Sequence, residues 1–151
     1  IKTGYNTDAT GFEKTLLLHL KSHHKSAIIL GNGGAAKAVK YVLDKMQIQN
    51  ITVARSSEEF NFKNISVETV KQHTVIIQTT PVGTFPNVYD CLDFPFDGIT
   101  EQHLIIDLIY NPNYTKFIIK ASEKGAKTAK GFYMLEQQAE KAWEIWNNQK
   151  K

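Results

Sequence analysis

Apolar residues along this chain fall into two patterns that alternate. Short unbroken runs at Ser26–Leu30, Ile51–Ala54, Thr74–Gln78 and Leu104–Tyr110 predict strands buried on both faces, as in a parallel sheet. Between them, apolar positions recur at helical spacing. After a loop at Gly4–Thr7, a helix is expected from Asp8 to His24. Leu16, Leu17, Leu18 and Leu20 form its buried side, and Asp8 or Thr10 its cap. A second helix runs to Met46, with Val39, Val42, Leu43 and Met46 inward, and Ser66–Gln72 reads as a short third. Thr79–Gly98, with Pro81, Pro86 and Pro95, is a long loop, a kind often tied to function. Asn111-Pro112 ends the fourth strand. Tyr114–Lys124 is helical, Gly125 stops it, Ala126–Thr128 forms a last short strand, and Tyr133–Asn148 a long amphipathic helix. Strands alternating with helices predict an α/β fold: a doubly wound, mostly parallel sheet with helices on both faces.

The first of these strands runs directly into Gly31-Asn32-Gly33-Gly34-Ala35-Ala36, and a helix follows at once. In that context glycines fit a dinucleotide turn of the Rossmann type. Gly31 permits the tight turn, Gly33 lets backbone approach a pyrophosphate, and Ala36 lets helix pack close to strand. The amides of Gly33, Gly34 and Ala35 then face the phosphates, helped by the helix dipole. The plainer reading is a glycine turn that only joins strand to helix. At the tip of the second strand stands Arg55-Ser56-Ser57, with no carboxylate to hold a ribose 2′-hydroxyl. Arg55 would attract a 2′-phosphate and Ser56 could donate to it, which favours NADP over NAD. The alternative is that Arg55 is a solvated surface charge.

Other polar residues carry less by themselves. Asp8 at a helix start is ordinarily a cap, and Gln138 alone reads as a surface residue. Gln78–Gly83 and Asp107–Asn111 lie beyond the carboxyl ends of strands, where open α/β sheets bind ligands. His19 and His23 lie one helical turn apart among lysines, so a solvated helix face is expected and no metal site. Trp143 and Trp146 are expected to pack. With 42% apolar and 22% charged residues, the 151-residue chain suits one globular domain and not a disordered one. Its net charge of +3 is scattered, which suits an anionic ligand and gives no nucleic-acid footprint. Cys91 is the one cysteine, so no disulfide framework exists and a reducing, cytoplasmic compartment fits. No apolar run is long enough to span a membrane. No feature fixes an oligomeric state. The chain begins at Ile1, shortly before its first helix, and is expected to be a fragment.

Five segments, in order, resemble the shikimate dehydrogenase family. Asn6-Thr7-Asp8 with Gly11-Phe12 is similar to its Asn-Thr-Asp-Gly-x-Gly-Phe segment, and Gly31–Ala38 to its Gly-x-Gly-Gly-Ala-x-x-Ala turn. Gln78–Pro86 resembles Asn-Thr-Thr-Pro-Val-Gly-Met-x-Pro. Asp107–Pro112 with Thr115 resembles Asp-x-x-Tyr-Asn-Pro, and Gly131–Ala139 the terminal Gly-x-x-Met-Leu-x-x-Gln-Ala pattern. The resemblance implies reduction of 3-dehydroshikimate to shikimate with NADPH, a step of aromatic amino-acid synthesis. It implies that Asp8 belongs to a catalytic Lys–Asp pair and also binds a substrate hydroxyl. Thr7, Tyr110 and Gln138 then contact substrate, while Thr79, Thr80, Pro81, Leu108 and Tyr133 lie along the cofactor with Asn32 of the glycine turn. Arg55 matches the arginine of an Asn-Arg-Thr motif. Ala54, Ser56, Glu59, Gln78, Tyr133 and Ala9 depart from the family pattern, and Tyr133 replaces a common glycine near the nicotinamide. The lysine-bearing substrate domain of the family is expected to be missing upstream, so the chain alone would be inactive. Alternatives are a quinate/shikimate dehydrogenase, a non-catalytic nucleotide-binding module, and another oxidoreductase such as a glutamyl-tRNA reductase or methylene-tetrahydrofolate dehydrogenase. The Gly131–Ala139 segment argues against the last.

Overall fold

The computed structural model describes residues 7–150. Five strands form one wholly parallel sheet: β1 (Ser26–Leu30), β2 (Gln49–Val53), β3 (Val75–Gln78), β4 (Leu104–Asp107) and β5 (Lys127–Lys130), in the order β2-β1-β3-β4-β5. Five α-helices accompany them: α1 (Thr7–His19), α2 (Gly34–Lys45), α3 (Val67–Gln72), α4 (Lys116–Glu123) and α5 (Gly131–Gln149). Residue parity within the strands builds two cores. Ala27, Ile29, Ile77 and Ile106 face one layer with Phe12, Leu16, Val39 and Met134, while Ile28, Ile76 and Ile105 face the other with Val70, Phe94 and Phe117. Covering both faces explains why the strands read as unbroken apolar runs. The chain goes outward from β1 to β2 and returns to β3 on the other side of β1. The switch point of the sheet therefore lies between the carboxyl ends of β1 and β3.

The differences from the pattern reading are local. α1 stops at His19 because the His24 ring accepts the Lys21 amide at 2.9 Å and closes a turn there. His19 and His23 therefore do not share a helix face; His23 and His24 both reach the Gln102 carbonyl. Leu16 is fully buried, but Leu17 and Leu18 are 59% and 61% exposed. Three consecutive helical leucines, Leu16–Leu18, cannot share one face, and the buried stripe is Ala9, Phe12, Leu16. Trp143 and Trp146 stack on each other at 5.7 Å but are 62% and 50% exposed, so they do not pack in the core. β4 ends at Asp107, three residues early, because its side chain takes up the Ile109 amide. β5 runs on to Lys130, and α5 begins at Gly131, two residues before Tyr133. The expected loop at Gly4–Asn6 lies outside the described residues, whereas Thr7 is already helical.

Phe12→Ala should lower the unfolding free energy by about 3–5 kcal/mol in urea titrations, and Leu17→Ala by no more than about 0.5 kcal/mol. Equal losses would place Leu17 in a buried layer.

Candidate functional site

The switch point carries the glycine turn. Gly31 has φ +110°, a left-handed conformation, and a Cβ there would lie 2.5 Å from the Thr79 hydroxyl. Its amide donates to the Val53 carbonyl at 2.8 Å, which ties the turn to β2. Beyond this pinned residue the turn is open. A side chain at Gly33 or Gly34 would meet nothing within 4 Å, and no side chain caps the first amides of α2. This is a cradle that fits a pyrophosphate: free backbone donors at a helix start, with no Cβ in the way. Asn32 reaches across to the tip of β2, where its Nδ2 donates to Ser56 Oγ at 3.3 Å. Arg55 and Ser56 are exposed there, beside the turn.

The next wall is the loop after β3. Gln78 is fully buried; its Oε1 accepts the Thr80 amide at 2.5 Å and its Nε2 donates to the Val82 carbonyl. The Thr79 hydroxyl donates to the Leu30 carbonyl at 2.6 Å, and the Thr80 hydroxyl accepts the Val82 amide. Both threonines thus have work in shaping the loop, while Pro81 is exposed at its turn.

The third part is a cavity of about 170 Å³. It is lined by Asp8 of α1, Ala35 of α2, Leu108 and Tyr110 after β4, and Gly131, Met134, Leu135 and Gln138 of α5. Asp8 Oδ1 accepts from Gln138 Nε2 at 2.5 Å, so Asp8 is held by α5. The contact depends on Gly11, one turn along α1. A Cβ there would sit 2.8 Å from the Met134 carbonyl and 2.9 Å from Gln138 Cγ, so only glycine lets α1 and α5 come this close. Tyr110 is 55% exposed at the cavity mouth. Tyr133 is half-buried in the first turn of α5 and is not among the lining residues. The side chain of Thr7, like Asn6 before it, lies outside the described residues.

Sequence reasoning singled out Asp8, Ala35, Leu108, Tyr110 and Gln138, and these meet in one cavity; Arg55, Ser56 and Asn32 form a separate group across the glycine turn. Met134 and Leu135 were missed as lining residues, although Met134, Leu135 and Gln138 lie at helical spacing in one motif. A larger surface groove at Lys40, Asp44 and Asn50 lies beside the start of β2, where these groups bond to one another. No helix among the described residues is long and apolar enough to cross a membrane.

One buried charge lies under the site. Burial pushes the Asp107 carboxyl up to about 6, partly opposed by hydrogen bonds from the Thr115 hydroxyl and the Ile109 amide.

Fold and turn together define a Rossmann-like α/β domain with its open cradle at the topological switch point. Its relatives agree with that class. Over 95% of its length the chain is 34% identical to the curated NADP(+) shikimate dehydrogenase of Desulforamulus reducens, and over 97% it is 33% identical to that of Bacillus subtilis. It spans 57% and 58% of those proteins, corresponding to their C-terminal, cofactor-binding part. Shikimate dehydrogenase from Aquifex aeolicus superposes with a TM-score of 0.81 at 34% identity, covering 96% of this chain and 57% of that one. The Thermus thermophilus enzyme, in complex with NADP(H) and shikimate, superposes with a TM-score of 0.82 at 26% identity over 96% of this chain and 57% of its own. No family profile matches the chain. Over nearly its whole length the chain is thus similar to the C-terminal part of shikimate dehydrogenases, and it spans less than two thirds of their length.

A neutral carboxyl favoured by the fold means that the folded state holds an extra proton between pH 3.8, the ordinary value, and about 6. Stability contributed by Asp107 therefore falls as pH rises through that window, by on the order of 2–3 kcal/mol, and is level above it. Burial lowers His24 and His103, which slope the opposite way near neutrality. The measure is thus the difference between variant and wild type: Asp107→Asn should remove the falling component between pH 4 and 6 in urea titrations. Parallel curves would show that the carboxyl titrates normally.

Proposed function

We propose that this chain is the NADP(H)-binding half of a shikimate dehydrogenase that interconverts 3-dehydroshikimate and shikimate. The observation that carries the reading is the cavity itself. Four distant segments bring Asp8, Tyr110 and Gln138 together with Ala35 from the first turn of the glycine-turn helix, so polar groups for a hydroxylated substrate adjoin a phosphate cradle. The substrate, the activity and the lysine-bearing partner domain are part of this proposal, as is a cytoplasmic setting.

In this reading the α2 amides at Gly33, Gly34 and Ala35 hold the pyrophosphate, and Arg55 and Ser56 hold the 2′-phosphate, with Asn32 fixing Ser56. Thr79, Thr80 and Pro81 form the wall between turn and cavity, and Leu108 and Tyr133 flank the nicotinamide. The cofactor, when bound, supplies hydride chemistry. Asp8 accepts a hydrogen bond from a substrate hydroxyl and keeps a lysine of the substrate domain oriented to move the proton. Gln138 holds Asp8 and offers its remaining amide capacity to the substrate, and Tyr110 closes the mouth.

Titration of NADP+ and NAD+ by calorimetry tests the reading. NADP+ should bind more tightly, and Arg55→Ala should cost it roughly ten- to hundredfold while leaving NAD+ nearly unchanged. Equal affinities in wild type would refute the 2′-phosphate assignment.

Gly33 has φ −81°, so valine is tolerated by the backbone, and the variant should fold. Its side chain would occupy the open cradle, so Gly33→Val should weaken both cofactors alike. Undiminished binding in a folded Gly33→Val would reduce the turn to a connector.

A further inference from the structure

Asp107 is fully buried at the end of β4, so it touches no ligand. A carboxyl in such a place is costly unless every lone pair has a use. Here Oδ1 accepts the Ile109 amide at 3.0 Å, and Oδ2 accepts the Thr115 hydroxyl at 2.6 Å. The same Thr115 oxygen accepts the Ile118 amide at 3.2 Å and caps α4. Ile109 is the middle residue of Leu108-Ile109-Tyr110, and its two neighbours line the cavity. Leu108 is tied in turn by its amide to the Gln78 carbonyl at 3.1 Å. The segment leaves the strand ladder at Asp107; after the single Leu108 bond to β3, the Ile109 amide is held by this carboxyl and not by sheet pairing.

We propose that Asp107 is a positioning residue: through the Ile109 amide and the Thr115 hydroxyl it fixes Leu108 and Tyr110 against the cavity, and so governs how the nicotinamide end of the cofactor is seated. The inference rests on the proposed nucleotide function. An apolar side chain would fill a buried strand end at lower cost, and a cap for α4 alone would need only Thr115. The second oxygen, spent on the Ile109 amide, links that cap to the cavity wall. The adenosine end of the cofactor lies with Arg55 beyond β2, three strands away in the order β2-β1-β3-β4, so it should not sense Asp107.

Two ligands separate the ends. 2′,5′-ADP carries the adenosine end alone and is titrated by calorimetry. NADPH carries both ends, and its nicotinamide fluorescence reports the seat directly. In Asp107→Asn, the NADPH dissociation constant should rise about tenfold, the loss typical of one charge-assisted hydrogen bond, and the fluorescence change on binding should shrink. 2′,5′-ADP should bind within about twofold of wild type. Thr115→Val should act in the same way, and Thr115→Ser, which keeps the hydroxyl, should restore wild-type behaviour. Should Asp107→Asn fail to fold by circular dichroism, Thr115→Val carries the same readout with the carboxyl intact. Equal weakening of both ligands would make the network merely structural and overturn the proposal. So would unaltered NADPH binding, or a wild type in which NADPH binds with no change in nicotinamide fluorescence. A folded wild type that binds neither ligand would overturn the nucleotide function itself.

Discussion

A parallel sheet covered by helices on both faces has only its two rows of strand ends left to meet a ligand. In this chain Ile28, Ile76 and Ile105 fill one layer while Ile29, Ile77 and Ile106 fill the other, so the side chains of the three central strands are taken up by packing. The candidate site accordingly gathers at the carboxyl ends, from the segments after Leu30, Val53, Gln78 and Asp107, joined there by α1 and α5. That placement shapes the polar side chains nearby. Gln78 and Asp107 pair in register at the ends of β3 and β4, both are fully buried, and each folds back to satisfy amides of the loop that follows. A loop leaving a sheet loses its ladder partners, and buried amides without partners are costly. The strand-end side chains supply those partners, which also gives each loop one conformation.

The second organising contact is the approach of α1 to α5. Asp8 and Gln138 are 130 positions apart, and their bond requires the two helices to meet closely. Gly11 allows that approach by having no Cβ to strike Met134 and Gln138. Phe12 and Leu16, on the adjoining face of α1, share the core cluster of Met134 and hold the pair by burial. The exposed polar pair is thus a by-product of core packing a turn away. On the proposed reading, this is how one domain keeps its catalytic carboxylate rigid while most of the remaining chemistry lies elsewhere.

The sequence revealed the sheet more readily than the site. Unbroken apolar runs such as Ala27–Leu30 and Val75–Ile77 need no phase to be recognised, because both faces are buried. Helix faces do need a phase, and the leucine-rich stretch at Leu16–Leu20 obscured it; Leu17 and Leu18 turned out exposed, as did Trp143 and Trp146. The end of α1 was misjudged because a tertiary and local set of bonds from His23 and His24 stops it, and helical periodicity carries no trace of those. In the site, the glycine turn could be derived from spacing alone. Asp8 and Gln138 could not: one looks like a cap and the other like a surface amide until the fold brings them to 2.5 Å. Only the family resemblance singled them out beforehand. Asp107 and Thr115 stood out only as members of a strand-edge segment with a family resemblance; their bond to each other and to the Ile109 amide arises from the fold and from burial.

Burial also sets the character of the Asp107 network. Its hydrogen bonds favour the ionised carboxylate and its dry surroundings favour the neutral acid, and burial is the larger effect. An ionised Asp107 would accept from both the Ile109 amide and the Thr115 hydroxyl, the arrangement found here. A protonated one must place its own hydrogen, and Thr115 must then turn its hydroxyl away or accept. The oxygen of Thr115 already accepts the Ile118 amide, so a second donor would crowd the cap of α4. The neutral form relieves desolvation at the cost of bond geometry, and the charged form does the reverse. Near pH 6 the two are close in free energy; the bond from the Ile109 amide is compatible with both, whereas the Thr115 bond in its present direction belongs to the ionised form.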